Sequence, residues 1–325
     1  MGEGEGLKTV NSVLGPIATT ALGVTLMHEH VQGSLGGIPQ IYPELLGDNY
    51  EERVLEGLVS AKRGGVDTVV DCTTMDIGRD VRLLAEASRR SGINIIASTG
   101  WNVSVVPYLG AHSADQFARI FAREIEEGIE GTGIKAGILK GAADFAGVTP
   151  QLEPILRGVA RAQLKTGAPV MLHSYAPGQV ARRQLAVLAE EGVDLRRVKV
   201  DHLLDTTDLE YIAWVAEQGC YLGVDRMPGM YFCPPTSPTA RIRTLKALID
   251  AGYTDRLLIS HDTVLISSFY DTLPEEARTT IKTKNPYGLL YIHKVVLPKL
   301  REMGVSEETI NGILIDNPRR FFEGS

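Results

Sequence analysis

The sequence predicts an α/β protein folded as a closed (β/α)8 TIM barrel, with a short β-hairpin ahead of the first core strand. Short apolar runs alternate with segments of helical periodicity along nearly the whole chain, giving eight strands, each followed by room for a helix. The 325 residues comfortably hold the roughly 250 that such a barrel takes, and no Pro/Gly/Ser-rich linker divides them, so one domain over 1–325 is expected. The competing architecture, an open doubly wound sheet, normally carries a glycine-rich phosphate turn after its first strand; His28-Glu29-His30 stands there instead.

Each element has its own signal. Residues 9–17 read as a hairpin around Gly15-Pro16, placed to cap one end of the barrel. The first core strand, 23–27, delivers His28 and His30, and the Gly/Pro-containing stretch 32–47 reads as a loop covering a site. Val54, Leu55, Leu58 and Val59 mark a helix that stops at Gly64-Gly65. Strands then fall at 66–71, 93–97, 136–140, 169–173, 198–202, 221–225 and 256–260. Helices are expected at 79–90, 114–129, 151–166, 179–191, 207–217, 239–251 and 289–303.

Composition narrows the function classes. With 44% apolar and 22% charged residues the chain is globular rather than disordered, and a net charge of -7 without a basic block argues against nucleic acid. Cys72, Cys220 and Cys233 form no Cys-X-X-Cys and no disulfide framework, so a reducing cytoplasm is expected. The acidic, glycine-rich start is unlike a secretory signal, and no apolar run approaches the roughly 20 residues of a membrane span. For that reason the sequon at Asn102 carries no weight.

Chemistry enters through position. His28 and His30, two apart on a strand, share a face. Lys140 ends the fourth predicted strand, His173 the fifth, His202 the sixth, and His261-Asp262 the eighth. The C-terminal strand ends of a barrel open on one mouth, so five of the seven histidines converge there. His112 and His293 lie elsewhere and read as surface or packing residues. Two divalent metal ions suit this set, zinc first, cobalt or manganese as alternatives. An unmodified lysine would be a poor neighbour for them; a carbamate formed with carbon dioxide would be an anionic bridge. Asp262 fits either a metal ligand or a helix N-cap.

The pattern His28-Glu29-His30, Lys140 after Gly137-Ile138-Leu139, His173-Ser174, Asp201-His202 with Asp205-Thr206, and Ser260-His261-Asp262 resembles the phosphotriesterase family of the amidohydrolase superfamily. Asp76-Ile77-Gly78-Arg79-Asp80, residues 132–137 and Asn317-Pro318-Arg319-Arg320-Phe321-Phe322 extend the resemblance over nearly the whole chain. It implies that His28, His30 and Asp262 hold a buried ion, that His173 and His202 hold a more exposed one, and that carboxylated Lys140 bridges them with a hydroxide. Asp262 would then accept a proton, with Asp205 and Arg226 forming either a proton relay or a structural ion pair. Glu29, on the opposite face, is expected to be a hydrogen-bond partner.

The resemblance implies a small-molecule ester as substrate, either a lactone or an organophosphate triester, with lactones favoured. A dedicated aryldialkylphosphatase and a non-catalytic ligand-binding barrel are the alternatives. Arg226 resembles the lactonase branch, whereas Asn102 beside Trp101 departs from it. Trp101, Asn102, Met227, Tyr231, Phe232 and Thr263 are the candidate pocket residues. Relatives of this kind are commonly homodimers.

Overall fold

The structure, a computed structural model, describes residues 8–104, 111–229, 236–270 and 272–324. Tyr231, Phe232 and Cys233 lie outside the described residues. The hairpin of β1 (Thr9–Ser12) and β2 (Gly15–Ala18) is antiparallel. Val13 N–H donates to Ile95 C=O at 2.9 Å and Asn11 Nδ2 to Ala136 C=O at 3.0 Å, so the hairpin closes the N-terminal end of the barrel as expected.

The barrel strands are β3 (Thr25–Gly33), β4 (Thr68–Asp71), β5 (Asn94–Gly100), β6 (Ile138–Ala143), β7 (Val170–Ser174), β8 (Val198–Val200), β9 (Tyr221–Val224), β10 (Leu257–Ile259) and β11 (Val264–Ser267). They pair in parallel in the order β10-β9-β8-β7-β6-β5-β4-β3-β11. The ninth strand is the continuation of the eighth. The backbone breaks at 260–263, where Asp262 has φ +56°, and resumes as β11 alongside β3. Asp262 N–H donates to His28 C=O at 3.0 Å and His30 N–H to Thr263 C=O at 2.8 Å, which closes the barrel across the break.

Around the strands lie α1 (Ile38–Ile41), α2 (Tyr50–Arg63), α3 (Val81–Ser91), α4 (Ala114–Glu126), α5 (Glu153–Thr166), α6 (Ala181–Glu190), α7 (Leu209–Glu217), α8 (Pro238–Asp250), α9 (Glu275–Lys284), α10 (Leu297–Glu302), α11 (Glu307–Asn311) and α12 (Asn317–Glu323). Their starts follow from the sequence. Asp80 accepts from Arg82 and Leu83 N–H to cap α3, Ser113 and Gln116 form a capping box on α4, and Asp208 caps α7. The helix expected at 289–303 is present and contains a π-helical turn, Ile292–Val296, ahead of α10; another such turn, Gly312–Asp316, precedes α12. Pro298 and Pro318 follow these turns closely and cannot donate to the carbonyl four residues back, which relaxes the ladder there. No helix among the described residues is long and apolar enough to cross a membrane.

Two packed layers hold the barrel. Leu26, Val69, Ile95, Leu139, Leu172 and Val200 belong to the layer between strands and helices. Met27, Val70, Ile96, Ile138, Met171 and Leu258 fill the interior, and Phe321 of α12 joins them from below. Asn317 Nδ2 ties α12 to Thr254 and Leu257 C=O, giving the Asn-Pro-Arg-Arg-Phe-Phe stretch a structural role. In the Asp76–Asp80 stretch, Arg79 makes a bidentate pair with buried Glu124 at 2.7 and 2.8 Å, and Thr99 donates to the same carboxylate.

Because Glu124 would be left as an unpaired buried charge, Arg79→Met is expected to cost about 3–5 kcal/mol in urea unfolding. The double variant Arg79→Met/Glu124→Gln should recover most of that loss. A single-variant cost below about 1 kcal/mol would contradict the buried-pair account.

Candidate metal centre

His28 and His30 lie within β3 rather than beyond its end, because β11 extends the pairing to Val264↔His30 and Ser267↔Gly33. The register of β3 on β4 shifts between Leu26 and Glu29. Through this bulge Met27 and His28, successive residues, both face the interior, which a regular pleat forbids. Lys140 likewise sits inside its strand, since β6 continues to Ala143.

Left-handed backbone produces a similar effect at two further strand ends. His202 has φ +65° and Arg226 has φ +56°. Consequently Asp201 and His202 both point inward after β8, and Asp225 and Arg226 both do so after β9.

These departures bring the candidate ligands together. The rings of His28 and His30 are 5.6 Å apart, those of His28 and His202 4.9 Å, and those of His173 and His202 4.4 Å. Asp262 Oδ1 lies 3.6 Å from His28 Nε2 and 3.4 Å from His30 Nε2, and the three residues form a buried group with metal-ligand spacing. His173 Nδ1 and His202 Nε2 face each other at 2.9 Å. Lys140, 1% exposed, donates from Nζ to Cys72 C=O at 3.0 Å and acts electrostatically on both His28 and His173.

The donors suit a divalent cation. The Nε2 atom of His28 is buried without a hydrogen-bond partner among the described residues. Burial is the leading influence on His28, His173 and His202: it lowers His28 to about 4, His173 below the ordinary imidazole value and His202 well below it. They are therefore neutral donors at physiological pH. Burial opposes ionisation of Asp262, but His28, the bond to His30, Arg226 and His202 together outweigh it and hold the carboxyl well below its usual range.

A second set of residues aims the first. His30 Nδ1 meets Thr73 Oγ1 at 2.9 Å, leaving Nε2 for Asp262. Asp225 Oδ1 accepts from His202 N–H at 3.1 Å and lies 2.8 Å from its Nδ1. Asp144, just after β6, sits 3.5 Å from His173 Nε2, and this contact leads in lowering its carboxyl below the usual range. Asp225 also forms a buried ligand-type group with His28 and His202. None of these supporting carboxylates belongs to the candidate set read from the sequence. Their signal was an acid at a strand end, with Asp201 immediately before His202 and Asp225 ending the seventh predicted strand.

Arg226 joins two acids: Nε to Asp262 Oδ2 at 2.9 Å and Nη1 to Asp205 Oδ2 at 2.5 Å. Buried Arg241 binds the other oxygen of Asp205 at 2.7 Å. Asp262 is not a helix cap; it occupies the break between β10 and β11. Glu29 is the expected hydrogen-bond partner, accepting from Ser260 Oγ, His261 N–H, His261 Nδ1 and Thr263 N–H at 2.7–2.9 Å. His261 Nε2 accepts from Ile292 N–H at 3.1 Å, so both its nitrogens are engaged away from the centre. His112 packs near Phe117 on the surface and His293 lies in the π-helical turn before α10.

The pocket candidates divide. Trp101 and Asn102 follow β5 at the mouth; Trp101 N–H donates to Lys140 C=O, and Asn102 N–H to the Asp76 carboxylate. Thr263, partly exposed, accepts from Asn285 Nδ2 at 3.2 Å. Met227 is fully buried in the layer beneath the helices, so it packs there instead of lining an open pocket.

A family model described as the phosphotriesterase family matches residues 8–322. The chain is 39% identical over 327 residues to a phosphotriesterase homology protein of Mycobacterium tuberculosis, covering 97% of each chain. It is 35% identical over 309 residues to an aryldialkylphosphatase of Saccharolobus solfataricus, covering 94% of this chain and 96% of that one. The solved structure of the phosphotriesterase from Mycobacterium tuberculosis superposes with a TM-score of 0.89 at 37% identity, over 97% of this chain and 98% of the other.

Glu29 supports the strand break that carries Asp262. Glu29→Gln presents a donor to a ring of donors and should lower unfolding stability by about 2–3 kcal/mol. An unchanged denaturation midpoint would show that the carboxylate does not hold the break.

Proposed function

The chain belongs to the phosphotriesterase family, and from that premise we propose that it is a metal-dependent hydrolase of esters, with lactones favoured as native substrates and phosphotriesters as the second class. One observation carries the metal part: His28, His30 and Asp262 are buried with metal-ligand spacing, and the ring of His28 adjoins that of His202, which in turn meets His173. In this reading His28, His30 and Asp262 hold one divalent ion, and His173 and His202 hold the other. Lys140, between the two histidine groups, would hold both ions as an anionic carbamate, formed when its ammonium gives up two protons and the amine takes up carbon dioxide. Bound there, the pair of ions would lower the pKa of water and polarise the oxygen of the bond under attack.

The residues of the chain supply the remainder. Asp262 is ionised and accepts the proton released as the nucleophile adds. Arg226 cannot pass that proton onward, because a guanidinium does not deprotonate in this range. Its two nitrogens instead fix the Asp262 carboxylate against Asp205, and Arg241 fixes Asp205 in turn. In this reading Asp205 and Arg226 therefore hold Asp262 in place and do not form a relay. Trp101, Asn102 and Thr263 flank the mouth where the acyl or alkoxy part of a substrate would lie. Lactones are favoured because an arginine stands at Arg226; the relative named an aryldialkylphosphatase supports the phosphotriester class.

Stripping with a chelator should abolish hydrolysis of both a γ- or δ-lactone panel and an aryl dialkyl phosphate, and zinc or cobalt should restore it. Metal-independent turnover would contradict the mechanism, and bound metal without turnover on either class would favour a ligand-binding barrel. Arg226→Met should lower kcat about 10²-fold or more with a smaller change in KM, because it displaces a reacting group. A change confined to KM would place Arg226 in substrate binding instead.

A further inference from the structure

A second lysine is buried in the barrel interior, paired in register with Met171 of the apolar interior cluster. Lys199, the middle residue of β8, is fully buried; its Nζ donates to Met27 C=O at 2.7 Å and meets Asp201 Oδ1 at 2.7 Å. Replacing such a buried pair by apolar residues of similar volume is commonly neutral or stabilising, so packing alone does not account for it. The other carboxylate oxygen points to an account. Asp201 Oδ2 lies 3.1 Å from His28 Nδ1, and neither atom has any other hydrogen-bond partner among the described residues. Asp225 Oδ2 stands farther from the same nitrogen, at 3.6 Å, and its carboxyl is already engaged with His202. Gly223 makes room for the arrangement, since a Cβ there would overlap Asp201.

We propose that Lys199 and Asp201 are a positioning pair for His28: Asp201 Oδ2 accepts a hydrogen bond from Nδ1–H, so that Nε2 presents its lone pair toward His30 and Asp262. Lys199 holds the other oxygen of Asp201 and clamps β3 at Met27, one residue before the histidine. The inference rests on His28 being a metal ligand. It adds that the ring is presented as one tautomer and that the carboxylate makes it a stronger donor.

The test compares wild type with Lys199→Met/Asp201→Asn, which removes both charges at similar volume. Zinc stoichiometry by mass spectrometry, affinity by chelator competition and the thermal midpoint are measured on each. The expected result is a folded variant in which one of two ions is held about 10–100-fold more weakly and the other as in wild type. A folded variant that holds both ions as wild type does would overturn the pair's role, as would equal weakening of both, which signals general loosening. A wild type that binds no zinc overturns the metal reading and this inference with it, so the two failures are distinguishable. Should the variant not fold, the zinc-loaded wild-type crystal structure decides. Asp201 within about 3 Å of His28 Nδ1 supports the pair; Asp201 turned away, or itself bound to the ion, refutes it.

Discussion

The centre depends on evading the alternation of the β-strand. A regular strand turns every second side chain outward, so a short barrel strand offers its interior only one or two functional positions. This chain departs from regularity where more are needed. A bulge in β3 turns Met27 and His28 to the same side, and left-handed backbone at His202 and Arg226 places each beside an inward-facing aspartate. Asp262, also left-handed, occupies a break in the eighth strand. Each left-handed residue costs about 1–2 kcal/mol of backbone energy, which the surrounding hydrogen bonds must offset. Around the eighth-strand break they are visible: Glu29 alone accepts four.

From this doubling comes a pairing of roles. Each inward histidine has a partner on its far side: Thr73 for His30, Asp225 for His202, Asp144 for His173 and, by the inference above, Asp201 for His28. Burial disfavours the charged form of His28, His173 and His202, and the partners choose which nitrogen is free. Asp262 is held differently, through Arg226 to Asp205 and Arg241. The barrel thus presents donors already aimed, and little reorganisation is left for the arrival of a cation or a substrate.

Much of the fold was legible because its signals are local. Apolar runs and helical periodicity located the barrel strands, and Gly64-Gly65 marked the end of α2 at Arg63. His28, His30, Lys140, His173, His202 and Asp262 stood out because they recur at predicted strand ends. What escaped depends on tertiary pairing. Nothing near 260–263 signals that the eighth strand breaks and resumes along β3, and nothing near Leu26 signals a bulge. Met227 looked like a mouth residue by position but packs into the core. Lys199 was a missed signal of another kind, a charge in the middle of a three-residue apolar strand, whose meaning emerges only with Met27 and Asp201 beside it.

The central claim, a two-ion centre bridged by a modified lysine, is tested most directly by anomalous diffraction from crystals of the purified, zinc-supplemented protein. The account predicts two anomalous peaks, one against His28, His30 and Asp262 and one against His173 and His202, joined by density extending from Lys140 Nζ for a carbamate. An unmodified Lys140 still donating to Cys72 C=O, with one peak or none, would contradict it.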